Sequence, residues 1–232
     1  MFIEYEDNDV CVVYKEAGLA VQSGKAWQKD LVSILKEMHG GGYVGVVHRL
    51  DQPVEGLLTF ALNREAAAEL SRQAAGRKMR KIYRARVLLP TPRSLQMAQT
   101  ARTRVQTLQD DLLRDTDTNT SRVVMPGTPG AKESELTWRT LSIAPDEKTA
   151  EVEIHLHTGR HHQIRVQMSH AGLPLEGDRK YGAEAAAAAE AQATQLKLCA
   201  ATLTFRHPRD GRKMTFTCTP TWERNETDHP GE

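Results

Sequence analysis

Apolar residues recur at helical spacing near the start of the chain. Residues 29–39 carry them at i, i+3, i+4 and i+7 ahead of a glycine triplet, which predicts an amphipathic helix: Leu31, Ile34, Leu35 and Met38. A second helix is predicted over about residues 64–75, with Asn63 as its N-cap and Gly76 at its end.

Two further segments have a helical pattern or composition. After Gly159, Ile164 and Met168 stand four residues apart, and Gly172 and Pro174 follow as end signals. Residues 183–195 are rich in alanine, whose helix propensity is high, and they predict a surface helix.

Continuous or alternating apolar runs predict strands in much of the remaining chain. In residues 77–89, Tyr83, Ala85 and Val87 share one face of such a strand. The predicted strands are residues 10–15, 43–47, 56–62, 77–89, 134–143 and 149–159, and two strands within 197–218 joined by a turn at 208–211.

Residues 90–131 are polar and poor in pattern, and we interpret them as a long excursion between strands that contains short hairpin pieces. The last residues, 221–232, have the composition of a frayed tail. Strands joined mostly by turns, with helices inserted between them, predict an α+β sheet protein.

Composition narrows the class of protein only a little. The chain of 232 residues has 31 basic and 30 acidic side chains and a net charge of +1, which neither requires nor excludes a polyanionic partner. Cys11, Cys199 and Cys218 form no CxxC pair and predict free thiols in a reducing compartment. The N-terminus lacks a secretory signal, and no run approaches the roughly 20 apolar residues of a membrane span. We expect a cytoplasmic protein.

A basic run stands on and before the predicted strand of Tyr83. Between Ser71 and Arg86 the chain has seven basic residues and no acidic one. A solvated basic face is the usual explanation of such a run. Basic groups for phosphates beside an aromatic ring that stacks on a base are also what the recognition of unpaired RNA requires. Composition alone supports a solvated face and an RNA-binding face equally well.

Histidines crowd the turn after the strand at 149–159: His155, His157, His161 and His162. Alternate histidines on a strand can bind a metal, and a metal-dependent hydrolase is one hypothesis. Against it, no other ligand type stands at metal-binding spacing in the turn, and Arg160 and Arg165 would repel a dication. We therefore expect no metal, and hydrogen bonding or RNA contact instead.

Asp51, in the segment "VVHRLDQPVEG", is the remaining candidate for chemistry. A carboxylate acts as a nucleophile only when it is ionised, and a nearby guanidinium favours that form and fixes its orientation. Arg49 can share a face with Asp51 in extended chain, and Arg165 is an equally acceptable partner. The residues alone leave this choice open.

Five motifs in order resemble the RluA-like class of RNA pseudouridine synthases along nearly the whole chain. They are "YEDNDVCVVYKEAGLAV", similar to the first strand and "KPAGL" turn of that class, "HRLDQPVEGLLTFAL", similar to its catalytic motif, "KIYRARV", similar to its tyrosine strand, "TGRHHQIRVQMSHAGLPLEGDRKYG", similar to its C-terminal signature, and "LCAATLTFRHP", similar to its closing strand.

The resemblance implies isomerisation of uridine to pseudouridine in ribosomal or transfer RNA, without cofactor or metal. Asp51 matches the essential aspartate, which attacks either the ribose C1′ or the uracil ring. Tyr83 matches the tyrosine that packs on the uracil and is implicated in proton handling at C5, and Arg165 matches the arginine that pairs with the aspartate. Arg49 matches the arginine that fills the gap left by the everted base. The positions expected to contact RNA or the base are His48, Arg49, Lys81, Arg84, Arg160, His162 and Gln163.

The resemblance also implies one catalytic domain over residues 1–220, with a mixed, mainly antiparallel sheet, flanking helices and a central active-site cleft. We expect a monomer without the S4 RNA-binding module. The chain departs from the family pattern at Glu16, where proline is common, and at Val54-Glu55-Gly56, where Thr-Ser-Gly is common. Glu55 adds a second carboxylate near Asp51, and we expect it to point outward or to bond locally. This departure motivates the alternative of a catalytically inactive RNA-binding paralogue.

Overall fold

The computed structural model describes residues 1–24, 27–183 and 195–224, which fall into two compact units, Met1–Lys81 with Cys199–Glu232, and Ile82–Leu198. The prediction of one catalytic domain over residues 1–220 stays a prediction. The alanine-rich helix predicted over 183–195 lies, apart from its two ends, outside the described residues. No helix in the described part of the chain is both long and apolar enough to cross a membrane.

The strands are, in chain order, β1 (Phe2–Glu6), β2 (Val10–Lys15), β3 (Gly45–Val46), β4 (Glu55–Ala61), β5 (Arg80–Leu88), β6 (Gln106–Asp115), β7 (Thr120–Val124), β8 (Lys132–Ile143), β9 (Thr149–Leu156), β10 (Leu198–Arg206) and β11 (Lys213–Thr217). The helices are α1 (Leu31–Met38), α2 (Arg64–Ala75), α3 (Pro92–Thr100) and α4 (Gln163–His170), and Thr221–Glu223 form a 3-10 turn.

The sheet of the first unit has the strand order β1-β2-β4-β10-β11, and β3 pairs with the far end of β4. The pairing of β4 with β10 is parallel and the others are antiparallel. Every residue of β2 and β4 is buried. Apolar side chains of β2, β4, α2 and β10 form a core that includes Val12, Leu57, Leu70 and Phe205.

The helix α2 confirms its predicted limits, because its ends are set by local hydrogen bonds. The Asn63 side chain accepts from the backbone N–H of Ala66 at 2.8 Å, and Gly76 is the C-cap. The helix α1 also confirms its prediction, with Leu31 and Leu35 buried, whereas Met38 is exposed.

The second unit is an antiparallel sheet of order β5-β9-β8-β6-β7, with α3 and α4. The excursion expected over 90–131 is largely regular structure, consisting of α3, β6 and β7. Only the expected hairpin is confirmed, as β6 and β7. The sequence hid α3 because this helix starts with a polar capping box, Thr91 and Ser94, and it hid the length of β6 because only one residue of that strand, Leu112, is buried.

The fold class is α+β, as predicted, and within the two units every strand pair described above except β4–β10 is antiparallel. Both strands predicted over 134–159 are present as β8 and β9, and the hairpin predicted within 197–218 is present as β10 and β11. The predicted active-site cleft stays a prediction.

Candidate active site

Asp51 lies on an irregular segment, residues 47–54, between β3 and β4. The strand expected to lead into this segment is short, because β3 ends at Val46 and β4 begins only at Glu55. The backbone N–H of Val54 donates to the carbonyl of Asp51 at 3.0 Å. Asp51 is therefore carried by a closed turn and not by the end of a strand.

The next residue ties this turn to the chain that follows β2. The Gln52 side-chain amide donates to the carbonyl of Gly18 at 2.9 Å, and the N–H of Gly18 donates to the carbonyl of Gln52 at 2.9 Å. Two reciprocal hydrogen bonds fix the backbone immediately beside Asp51, which is a prerequisite for a preorganised carboxylate.

Lys15, the last residue of β2, is a buried cation next to Asp51. Its Nζ donates to three carbonyl oxygens, those of Glu16 at 3.0 Å, Leu19 at 2.8 Å and Gln52 at 2.9 Å. Burial lowers the pKa of Lys15 to about 8, and the charge of Asp51 opposes that decrease. Lys15 supports the Asp51 turn by hydrogen bonds and by charge, a role that sequence reasoning missed because burial of a lysine is not visible in the pattern.

Glu55 does not point outward or bond locally, so that expectation was wrong. The residue is fully buried, and its carboxylate accepts from the N–H of Thr221 at 2.8 Å and from the Thr221 hydroxyl at 2.9 Å. Thr221 is 166 residues away in the chain and starts the 3-10 turn. The tail predicted to be frayed from residue 221 is therefore held at its first residue; residues 225–232 lie outside the described part.

His48 is a neutral imidazole held by β4. Its Nε2 accepts from the backbone N–H of Thr59 at 3.2 Å, which places the proton on Nδ1. Burial, and then the charge of Lys81, lower the pKa of His48 to about 3. Burial also lowers the pKa of Lys81. Arg49 is exposed, as a residue that enters an RNA stack must be.

Tyr83 lies in the second unit, on β5, where it pairs with Ile154 of β9. It is 6% exposed and shares its buried face with Ala85 and Val87, as the alternation in the sequence predicted. Because Asp51 belongs to the first unit and Tyr83 and Arg165 to the second, the approach of these three side chains stays a prediction.

Arg165 is buried on α4 and forms a two-point ion pair with Asp178. Its Nε and Nη2 donate to the two carboxylate oxygens at 2.8 Å each, which uses two of the five N–H donors of a guanidinium. Burial alone would raise the pKa of Asp178, but the hydrogen bonds and charge of Arg165 lower it overall. Asp178 thus fixes the orientation of Arg165, and sequence reasoning did not single it out.

Tyr181 links Arg165 to the histidines before α4. The guanidinium carbon of Arg165 lies 5.2 Å from the centre of the Tyr181 ring. The Tyr181 hydroxyl accepts from the N–H of Ser121 at 2.8 Å and lies 2.8 Å from Nδ1 of His162, to which it can donate. His162 has φ 53, in the left-handed region, at the N-cap of α4, and His161 stacks on it with ring centres 3.7 Å apart.

Gln163, predicted to contact RNA or the base, has its side-chain amide engaged inside the protein. Its Oε1 accepts from the Thr158 hydroxyl at 2.8 Å and from the N–H of Arg160 at 3.0 Å, and its Nε2 donates to Gln167 at 2.9 Å. Gln167 in turn donates to Asp110 of β6 at 2.7 Å. This chain of hydrogen bonds favours a positioning role for Gln163 over direct contact with a base.

The predicted basic run is partly neutralised by acidic partners. Arg86 donates to Glu151 at 2.6 Å and Arg72 to Glu69 at 2.6 Å. Arg84 of this run is half-buried. Arg160, a predicted RNA contact outside the run, is also half-buried, and its Nε donates to the carbonyl of Glu133 at 2.9 Å. Fewer cations of this run are available to phosphates than the sequence suggests.

The histidine cluster makes hydrogen bonds to protein groups. His155 lies 3.0 Å from Glu153, His157 lies 3.0 Å from the Thr137 hydroxyl, and His161 lies 2.9 Å from the Ser121 hydroxyl. Among the described residues, the groups that bring three ligand atoms close enough to share a cation lie outside the histidine cluster. They are Glu6, Cys11 and His39, and Asp7, Asp9 and His207.

Neither of these groups supports a metal site. Burial and the neighbouring Glu6 raise the pKa of the Cys11 thiol to about 12, which opposes the thiolate that binds metals. Arg209 donates to both carboxylate oxygens of Asp9, at 2.6 Å and 2.9 Å, and its charge repels a cation. The expectation of no metal stays a prediction.

Comparison with known proteins decides the family of this chain. Residues 9–170 match the family model described as RNA pseudouridylate synthase. The chain belongs to this family. The matched region contains Asp51, Tyr83 and Arg165 and ends at the last residue of α4.

Two curated relatives and one solved structure agree with this assignment. The dual-specificity RNA pseudouridine synthase RluA of Escherichia coli strain K12 is 33% identical over 218 residues, 93% of this chain and 91% of that protein. An uncharacterized RNA pseudouridine synthase of Chloroflexus aurantiacus is 35% identical over 173 residues, 75% of this chain, which spans 49% of that relative. The human RNA pseudouridylate synthase domain containing 1 shares the fold, with a TM-score of 0.72 at 23% identity over 94% of this chain and 82% of that one.

These similarities confirm the RluA-like class that the motifs suggested. The chain is a pseudouridine synthase by family, hence an isomerase whose substrate is RNA.

Proposed function

We propose that this synthase isomerises specific uridines of ribosomal or transfer RNA, and that Asp51 is its nucleophile. The observation that supports Asp51 most directly is its turn, closed on itself and supported by the buried cation of Lys15. An enzyme that acts on a base inside folded RNA must first evert the nucleotide, at a cost of a few kcal/mol. A carboxylate that is already fixed and charged in the free enzyme needs no further reorganisation when the everted uridine arrives.

The reaction is an isomerisation, so it needs no oxidant and no external group. The bond between C1′ and N1 breaks, the uracil rotates, a bond forms between C1′ and C5, and the proton of C5 is replaced by one on N1. Asp51 attacks either C1′ or the uracil ring. Tyr83 packs on the uracil and takes part in moving the C5 proton. For Arg165, which Asp178 orients, we propose the role that the resemblance implies, that of the arginine partner of the catalytic aspartate.

The predicted RNA contacts divide into two groups, the lysine and arginine cations and the histidine and glutamine side chains. We propose that Arg49, which is exposed, enters the gap left by the everted base, and that Lys81, Arg84 and Arg160 contact phosphates. His48, His162 and Gln163 are bonded within the protein, and we propose that they shape the site. We further propose that the protein acts as a cytoplasmic monomer.

Replacing the proposed nucleophile tests the central claim. Asp51→Asn removes the charge and leaves the size of the side chain, so conversion of uridine in unmodified cellular RNA is expected to fall at least about a thousandfold. Carbodiimide labelling and primer extension measure the conversion, and filter binding measures the RNA affinity, which we expect to remain within about threefold.

The matched control is Asp146→Asn, in the exposed turn between β8 and β9. This variant should convert RNA at the rate of the unchanged protein. Normal turnover by Asp51→Asn would show that Asp51 is not the nucleophile.

The alternative is an RNA-binding paralogue without turnover, which the Glu55 departure suggested. That carboxylate is engaged by Thr221, so nothing in its contacts disables Asp51. A single-turnover assay separates the two functions, because pseudouridine formed in any natural RNA excludes the inactive alternative.

A further inference from the structure

Two cysteines of the first unit lie in contact. The Sγ atoms of Cys199, near the start of β10, and of Cys218, directly after β11, are 3.7 Å apart, and both residues are free thiols. The two sulfurs of a disulfide are about 2 Å apart. A small adjustment of the two side chains is therefore enough for a bond to form between them.

The pairing of the strands brings the two thiols together. Thr202 lies opposite Thr217 where β10 pairs with β11. The N–H of Cys218 donates to the carbonyl of Ala201 at 2.9 Å, which extends this pairing by one residue. Cys199 is two residues from Ala201, so its side chain lies on the same face of β10, diagonal to Cys218. On its other edge, β10 pairs with β4 at Cys199, so both sides of the contact are held by hydrogen-bonded backbone.

The two thiols differ in their exposure to solvent. Cys199 is fully buried, whereas Cys218 is partly exposed. A reagent in solution therefore reaches Cys218 first. The hydrogen bond with Cys218, and then burial, raise the pKa of the Cys199 thiol. Because the thiolate is the attacking form of cysteine, Cys199 does not react before Cys218.

Cys11 offers a comparison within the same unit. It is fully buried on β2, a strand that pairs with β1 on one edge and with β4 on the other. A buried thiol whose pKa is raised to about 12 is inert toward reagents in solution. Cys218 differs from Cys11 in being exposed and in having the sulfur of Cys199 beside it.

We propose that Cys218 is a modification site for low-molecular-weight disulfides, and that Cys199 converts the adduct into an internal disulfide that ties residues 218–224 to β10. The proposal concerns the thiols alone and is independent of the proposed function. Disulfides of reducing compartments are usually transient or redox-sensing. The pair is accordingly free when the surrounding thiols are reduced and linked when they are oxidised.

The chemistry consists of two successive thiol–disulfide exchanges. The Cys218 thiolate attacks one sulfur of glutathione disulfide, the S–S bond breaks, and one glutathione leaves as a thiolate and takes up a proton. Cys199 then loses its proton and attacks the Cys218 sulfur, and the second glutathione leaves in the same way. Two protein thiols are oxidised to one disulfide, and one glutathione disulfide is reduced to two thiols.

Mass spectrometry of the full chain treated with glutathione disulfide tests the proposal. N-ethylmaleimide in denaturant blocks the remaining thiols, and trypsin then cuts the chain without reduction. We expect the peptides of residues 198–206 and 214–224 to be linked in more than about half of the molecules, and glutathione on Cys11 in fewer than about a tenth. The linked protein should run as a monomer on a non-reducing gel. A Cys218 that stays free, or a link between two chains instead of within one, would overturn the proposal.

Single substitutions test the order of the two exchanges. Cys199→Ser should trap glutathione on Cys218, because the second thiol that displaces it has been removed. Cys218→Ser is the matched variant, and its Cys199 should be labelled at least about tenfold less than Cys218 is in Cys199→Ser. Equal labelling of the two would show that Cys218 is not the site of entry. The linked peptides of the unchanged protein decide the main claim even where a serine variant does not fold.

Thermal unfolding shows whether the link fits the folded structure. A cross-link between residues 199 and 218 restricts the unfolded chain, so the linked protein should have a Tm at least about 2 °C above that of the reduced protein. Dithiothreitol should reverse this increase, and Cys199→Ser treated with glutathione disulfide should not show it. A Tm that stays the same or falls on linking would refute the tie between residues 218–224 and β10.

Discussion

Buried ionisable side chains in both units hold neighbouring segments and side chains in place, and each of them bonds to a specific set of partners. Lys15 has three carbonyls, Glu55 has the two donors of Thr221, and Arg165 has both oxygens of Asp178. Leaving such a group without its partners costs several kcal/mol. A substitution that removes one partner is therefore expected to disturb the site mainly because the other ionisable group is left buried and unpaired.

His48 makes stability sensitive to acid. Its pKa is about 3 in the folded protein and roughly 6.5 in an unfolded chain. Between these values the unfolded state binds a proton that the folded state does not, so the free energy of unfolding falls as the pH decreases. The slope for this residue is at most about 1.4 kcal/mol per pH unit. Urea denaturation at a series of pH values measures it.

The variant His48→Gln keeps an acceptor for Thr59 and removes the titration. We expect a shallower loss of stability between about pH 6 and pH 4 than in the unchanged protein. His170→Gln, at an exposed position of α4, is the control and should leave the slope as it was. Equal slopes for His48→Gln and the unchanged protein would contradict a neutral folded His48.

Strands and helices in this protein differ in how locally they are specified. The helix α2 has its cap and its stop in its own sequence, and its predicted limits are confirmed. The strand β4 depends on partners far away in the chain, since it pairs with β2 on one edge and with β10 and β3 on the other. Gly56 shows how closely β10 approaches β4.

Gly56→Ala is expected to disrupt β4. Gly56 has φ +118, and an added Cβ would lie 2.5 Å from the backbone N and O of Ala200. No flexible side chain can move aside there, so we expect a loss of more than about 3 kcal/mol in the free energy of unfolding. Chemical denaturation followed by circular dichroism measures the change.

The control for this change is Gly127→Ala. Gly127 also has a positive φ, +81, but an added Cβ would meet nothing within 4 Å. Only the conformational cost of about 1 kcal/mol should appear. Similar losses for both variants would mean that the approach of β10 to Gly56 is not what limits the position.

The chain taken together has almost no net charge, +1, so RNA binding must depend on local cations. Family membership determines the reaction class, whereas cations that contact phosphates do not select a particular base sequence. The modified uridines are therefore identified by mapping them in cells.

Mapping pseudouridines in RNA from cells with and without this protein should show one or a few sites lost in ribosomal or transfer RNA. The unchanged protein should restore them, and Asp51→Asn should not. Asp146→Asn serves again as the control and should restore them. Sites that persist without the protein, or that return with Asp51→Asn, would argue against the proposed substrate or nucleophile.

The sequence predicted most elements that carry strong periodicity and missed those that do not. Helix α3 escaped because a polar cap resembles a loop, and the hairpin β6–β7 was expected only as short pieces because strands that face solvent carry little apolar pattern. At the site, the motifs pointed to Asp51, Tyr83 and Arg165. Lys15 and Asp178 were not found, because the burial of a charge depends on residues that are distant in the chain.

The sequence by itself determined the family, the fold class, the candidate nucleophile and the elements whose ends are set by neighbouring residues, such as α2. Only the tertiary structure decided where Glu55 points, which carbonyls hold Lys15 and which carboxylate orients Arg165. The physical reason is the distance along the chain over which each effect acts. Periodicity, caps and turns act over a few residues, whereas the desolvation and pairing of a charge depend on whatever the fold brings against it.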